Sequence, residues 1–247
     1  MTPTRLLVPL RIPELGPSLG KVVSGVGRTV GGIPLDGVRH RLATRILASA
    51  GEARRLAARE ERSAALAAIG RTVWVEAWEE AVAQVSGLVV RRVSQTLQAE
   101  ARAVRMPPRK LRVVAPDAGE ERALAARLGS AGASLIPALD QLEDLASRVL
   151  DATPHEREAV QAWQEALRTA ARRLEAAWLA MEEAVRVELG RWGGIALEIA
   201  AWRKPLWPVG VVGGVLMVAA VWLGLVLGGY VAPPDWLVGL WESVVTR

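Results

Sequence analysis

From Pro205 to Pro234 the chain runs for thirty residues without a charged, amide, aliphatic-hydroxyl or imidazole side chain, and Tyr230 is its only polar group. A bilayer core of about 30 Å takes about 20 apolar residues as helix, and Val209 to Val231 supplies that length with room for tilt. Trp202 and Trp207 mark one boundary and Trp236 and Trp241 the other, where amphipathic rings settle among head groups. A buried core helix is rarely this long or bracketed by Trp on both sides. The sequence therefore predicts a transmembrane helix over residues 205–233 and a short tail over 234–247.

Flanking charge orients the span. Arg203 and Lys204 precede it, whereas Asp235 and Glu242 follow with Arg247 as the only base. The positive-inside rule then puts the first 204 residues in the cytoplasm and the tail outside, as in a single-pass protein of a bacterial inner membrane. Before Asp36 the longest charge-free run is Thr29–Leu35, too short for a signal-peptide core. Within the span, Gly210 and Gly214 make one small-xxx-small pair, and Ala220, Gly224 and Gly228 make a longer series. That spacing lets helix backbones approach closely in lipid. In the tail, Asp235 is a candidate N-cap, after which Trp236, Leu237, Leu240, Trp241 and Val244 share one face, suiting an interfacial helix.

Composition narrows the remainder. The chain has no Phe and one Tyr but ten Trp, with 51% hydrophobic and 23% charged residues. This excludes collagen-like and disordered chains and argues against a mainly β protein. Cysteine is absent, which removes disulfides, thiolate metal sites and Cys nucleophiles, and leaves the redox compartment unread. Asn is absent too, and Arg far outnumbers Lys, a bias that codon usage or thermophily explains without invoking phosphate binding.

Periodicity predicts an all-α cytoplasmic part, either an elongated bundle or coiled-coil-like hairpins. Residues 36–106 are Ala- and Arg-rich and read as two helices, about Asp36–Ile69 and Thr72–Arg105, with a turn at Gly70 and an open question of whether they fold back. Trp74, Trp78, Val82, Val85, Val89, Val93 and Leu97 recur at near-helical spacing in the second. Met106-Pro107-Pro108 ends it, and residues 107–117 read as a linker. Residues 118–152 read as short helices, the first capped by Asp117 with Glu120, the second spanning about Leu135–Leu150. Thr153-Pro154-His155-Glu156 has the form of a capping box and opens a juxtamembrane helix within 153–204.

That helix carries Val160, Trp163, Leu167, Ala170, Leu174, Ala177, Met181 and Ala184 at 3-4 spacing. Glu188 breaks the pattern, and a shifted stripe of Val185, Leu189, Trp192, Ala196 and Ile199 continues, as at a stutter. Gly190, Gly193 and Gly194 predict a bend. The stripe fits a coiled-coil seam or the inner face of an antiparallel bundle, and its many Ala favour the bundle. Residues 1–35 differ in kind. They are Gly- and Pro-rich, with Arg5, Arg11, Lys21 and Arg28 against Glu14 alone, and read as an arm on membrane or partner, or as a flexible tail.

Residues 1–110 carry 18 basic and 9 acidic side chains, residues 111–152 four and seven, and residues 153–204 eight of each. A basic half at a membrane's cytoplasmic side is attracted to anionic lipid. Nucleic acid is disfavoured, since these bases interleave with Glu and stacking aromatics are scarce there.

No reaction chemistry is legible. The Gly16–Lys21 stretch lacks a residue between its glycines for a phosphate loop and has Val22 where Ser or Thr belongs. Gly25, Gly27 and Gly31 lack the preceding strand of a dinucleotide fold. His40 and His155 are far apart, which disfavours a metal pair. Glu60/Glu61, Glu79/Glu80, Glu120/Glu121 and Glu182/Glu183 read as solvated helix faces, with i,i+4 pairs such as Glu182–Arg186. The expectation is a non-enzymatic, self-associating membrane scaffold or adaptor with no catalytic, cofactor or metal residues. Its partners are membrane lipids and either its own copies or a membrane-complex protein. The alternative is an accessory helical subunit of a larger membrane enzyme or remodelling machine.

Overall fold

A computed structural model describes residues 8–24, 29–105, 115–151 and 156–201, with helical pieces at 215–218, 220–222 and 225. The chain divides into two units, Met1–Ala200 and Ala201–Arg247. Among its described residues the first is helical apart from loops and one minute hairpin. Its helices are α1 (Gly20–Val23), α2 (Asp36–Ala58), α3 (Arg62–Ala68), α4 (Arg71–Ala103), α5 (Ala118–Gly129), α6 (Ile136–Leu150) and α7 (Glu156–Ala201).

Each long helix buries the stripe that its apolar spacing dictates. In α4, Trp74, Trp78, Val82, Val85, Val89, Val93 and Leu97 are all buried. In α7 the seam residues Val160, Trp163, Leu167, Leu174 and Met181 are buried, and the stripe continues after the shift through Val185, Trp192, Ala196 and Ile199. These α7 residues join one core with α2 and α4, so the seam is the inner face of a bundle rather than an intermolecular coiled coil. With no Phe, fully buried Trp74, Trp163 and Trp178 fill the volume that small Ala layers leave. The helix runs unbroken through Gly190, Gly193 and Gly194, where an added Cβ would meet nothing.

Side-chain pairs fix the topology. Arg41 Nε donates to Gln84 Oε1 at 3.0 Å, and Arg45 donates to Glu80 at 2.5 Å and Glu76 at 2.8 Å, so α2 and α4 fold back antiparallel. The chain then descends along α4. Leu124 and Arg127 share a cleft with Val89 and Val93, and farther down Arg71 Nε meets Asp140 at 2.9 Å. A 3-10 turn at Ser130–Ser134 splits this third arm into α5 and α6. Finally α7 rises antiparallel to α2, placing Glu182 beside Arg39. The result is an up-down-up-down bundle.

The expected helix over Asp36–Ile69 is divided. It stops at Ala58, turns through Glu60 at φ 64°, and restarts as α3. Asp117 caps α5 as expected, accepting the Glu120 amide at 2.8 Å, while Thr153-Pro154-His155 lie outside the described residues.

The basic arm packs on the chain itself. Leu10, Ile12, Leu15, Leu19 and Val22 are buried in the bundle core. Its irregular carbonyls, which need partners once buried, accept from Arg62 (Val8 O, 3.0 Å), Arg54 (Pro13 O, 2.9 Å) and Gln164 (Arg11 O, 2.5 Å). Thr29–Val30 then pairs with Ile33–Pro34 across Gly31 and Gly32. Both glycines have positive φ, the requirement of a tight hairpin turn.

Candidate functional site

Four polar residues are buried among those described: Arg39, Ser86, Glu182 and Glu188. Burying a charge is unfavourable unless it is paired, and both carboxylates are. Glu182 Oε1 accepts from Trp178 Nε1 at 2.6 Å and Arg39 Nη1 at 3.2 Å. Arg39 also lies 3.9 Å from Asp36. The satisfaction is incomplete, since Arg39 Nε and Asp36 Oδ1 are buried without a hydrogen-bond partner. The expected Glu182–Arg186 pair does not form. Glu182 turns inward to Arg39, and Arg186 bonds Glu183 at 2.7 Å instead. Sequence spacing reported helical neighbours, whereas Arg39 is 143 residues away.

Six residues along α7, Glu188 accepts from Arg127 Nε at 2.5 Å and Arg127 Nη2 at 3.2 Å. Arg191 sits 3.7 Å from Glu188 and donates to Glu120 at 3.2 Å, with its guanidinium 5.5 Å from the Trp192 ring centroid. The bonded Glu188 carboxylate holds the Arg127 guanidinium protonated above its ordinary range. This explains how a Glu occupies the break in the seam: it is pinned by arginines from α5 and α7. Both networks lock helices in register. Neither presents a free base, a nucleophile or a ligand set to solvent.

The clefts tell the same story. One of about 430 Å³ lies between α4 and the α5–α6 arm, lined by Val75, Trp78, Val82, Gly132, Leu135 and Leu139. Glu79 and Ser130 also line it, and Trp78 Nε1 is buried and unpaired there, but pressed against Gly132, where any Cβ would overlap it. His40 is exposed beside Thr44 at 3.4 Å. No group of three His, Asp or Glu able to hold a metal occurs among the described residues.

Two outward surfaces remain. One is the back of α7, where Val187 and Leu197 are 64% and 72% exposed, flanking exposed Gly190 and Gly194. The other is the last part of α4 and the turn that follows it, where Arg91, Arg102 and Arg105 are exposed.

Of the membrane-span positions, Gly210, Gly214, Gly224 and Gly228 lie outside the described residues, as do the interface positions Trp202, Arg203, Lys204, Trp207, Trp236 and Trp241. Ala220 lies in a described helical piece and is exposed. Among the described residues no helix is long and apolar enough to cross a membrane, and most of the expected span falls outside them. Compared with known protein families, curated proteins and solved structures, the chain has no match.

Proposed function

We propose that this chain is a non-enzymatic, single-pass membrane scaffold whose cytoplasmic helical bundle self-associates. The anchor rests on the thirty uncharged residues from Pro205 to Pro234 and their asymmetric charged flanks. Where helix is described within that stretch, Val215, Leu216, Met217, Val218 and Val221 are 59–72% exposed, consistent with a lipid-facing surface.

One observation carries the self-association. The inner face of α7 is filled by its own bundle, while its outer face repeats Ala176, Ala180, Val187, Gly190, Gly194, Leu197 and Ala201 at 3-4 spacing, interrupted by Glu183. Large apolar side chains over small ones give the close helix contact that a second copy supplies. The test is molar mass of full-length protein in mild detergent. Wild type is expected to be oligomeric, and Val187→Glu with Leu197→Glu to shift it to monomer without lowering thermal stability. An oligomer unchanged by both substitutions overturns this interface. Isolation with one stoichiometric, different polypeptide in place of self-oligomer transfers the chain to the accessory-subunit reading.

A further inference from the structure

The end of α4 carries charge that the bundle does not use. Over residues 91–105 there are four arginines and one acid, Glu100. Arg91, Gln95, Gln98 and Arg102 follow 4-3-4 spacing and so share one face of α4, Arg105 follows just past the helix end at φ 52°, and all five are exposed. The opposite face, Val89, Val93, Leu97 and Ala101, is buried. Among the described residues no carboxylate lies within ion-pair distance of Arg91, Arg92, Arg102 or Arg105. By contrast, Arg127 and Arg191, on neighbouring helices at the same level, are consumed by Glu120 and Glu188. Arg92 lies across Gly32 of the hairpin, which leaves Arg91 and Arg102 outward on α4 and Arg105 just beyond it.

Its position matters as much as its sign. Thr96 and Leu97 line one groove with Leu189, Trp192 and Gly193, so α4 and α7 rise side by side. Beyond that level α4 continues about 9 Å and α7 about 12 Å, at roughly 1.5 Å per residue. The two tips are therefore nearly level. Ala201, at the tip of α7, stands four residues before Pro205, where the apolar stretch begins.

We infer that the end of α4, with Arg91 and Arg102 on its exposed face and Arg105 just past its last turn, is a docking surface for anionic lipid head groups, holding the bundle against the membrane. Arginines with no carboxylate within ion-pair distance among the described residues retain their attraction for an anionic leaflet, and this attraction decays within a Debye length. Only bases close to the bilayer respond: Arg102 and Arg105 stand at the end of α4, level with the tip of α7, whereas Arg91 lies about 18 Å back along the helix at roughly 1.5 Å per residue. The inference rests on the membrane-anchored reading, not on self-association.

The chain has no cysteine, so single reporters are clean. Full-length protein with Gln98→Cys, carrying a fluorescent label, is reconstituted in vesicles of phosphatidylcholine alone or with one-third phosphatidylglycerol, and quenched with neutral acrylamide. Protection of at least twofold is expected only with phosphatidylglycerol. It should be lost in 1 M salt, where the Debye length falls from about 8 to about 3 Å, and in Arg91→Gln/Arg102→Gln/Arg105→Gln, but kept in the triple Lys variant. A label at Thr72→Cys, at the far end of α4, should not respond. Equal quenching in both lipids, or equal protection in both, overturns the proposal. So does a DNA or RNA oligonucleotide that protects Gln98→Cys as strongly in neutral vesicles. Anchoring is read separately, by whether the protein stays with vesicles through an alkaline carbonate wash. Release there sinks the membrane reading itself, whereas retention with an indifferent label sinks only the docking surface.

Discussion

Arg39 and Glu182 form the sharpest test at the scale of single residues, because two opposite expectations attach to one contact. Arg39 is 3% exposed and Glu182 6%, and their 3.2 Å bond crosses from α2 to α7. Removing one partner leaves a buried charge alone and costs about 3–5 kcal/mol. Replacing both with apolar groups of similar volume relieves that cost, since Arg39 Nε and Asp36 Oδ1 already lack hydrogen-bond partners. Glu182→Leu alone should therefore lower stability by about 3 kcal/mol or more, and Arg39→Met/Glu182→Leu should restore most of it. Denaturant unfolding of the detergent-solubilised chain measures both. Losses that simply add would show that the pair is not a coupled unit. No reading of α7 alone reveals this contact. Glu182 has an arginine at i+4, and helical spacing assigned it there; only the fold brings Arg39 close enough to compete.

Helices were legible wherever one stripe buries against one partner. The 3-4 pattern located α4 and α7 to within a few residues, and Asp117 with Glu120 marked the start of α5. What escaped was the division of Asp36–Ile69, for which the sequence has no Gly or Pro at residues 59–61. The stop is nevertheless built by backbone: the Glu60 amide donates to Ala57 O at 3.1 Å and the Glu61 amide to Leu56 O at 3.0 Å. That pairing is a Schellman closure, which normally places Gly at the left-handed position. Here Glu60 adopts φ 64°, and tertiary packing outweighs the local preference because the turn sends Ala65, Leu66 and Ile69 into the core. A left-handed L-residue costs roughly 1–2 kcal/mol, partly offset by the greater unfolded freedom of Gly. Glu60→Gly should raise stability by about 0.5–1 kcal/mol, read as a higher denaturation midpoint at constant slope. A lower midpoint would mean that residues 36–69 are one continuous helix in solution.

The bundle as a whole is closed by a segment that composition alone assigns to the periphery. Residues 1–35 are rich in Gly and Pro, with scattered bases, the profile of a tail. Short apolar runs between the bases were visible, but nothing local said what they cover. The answer lies in partners distributed over the chain: Arg54 and Arg62 near the α2–α3 break and Gln164 on α7 take up the strap's carbonyls, while Leu15 and Leu19 become fully buried. Two of the arginines that bias the composition, Arg54 and Arg62, are thus spent on backbone oxygen. Arg11 and Lys21 are exposed on this strap, so trypsin distinguishes the two pictures. A tail would be cut at both sites at once; a packed strap must first open, and its cleavage should be slower by orders of magnitude than that of the denatured chain. Leu15→Ala or Leu19→Ala leaves a core cavity worth about 2–5 kcal/mol, and each should accelerate cleavage at Arg11 and Lys21 along with loss of global stability. Rapid cutting of wild type at Lys21 without loss of the bundle's helicity would show that the strap is dispensable, and that the groove between α2 and α7 is open to another occupant.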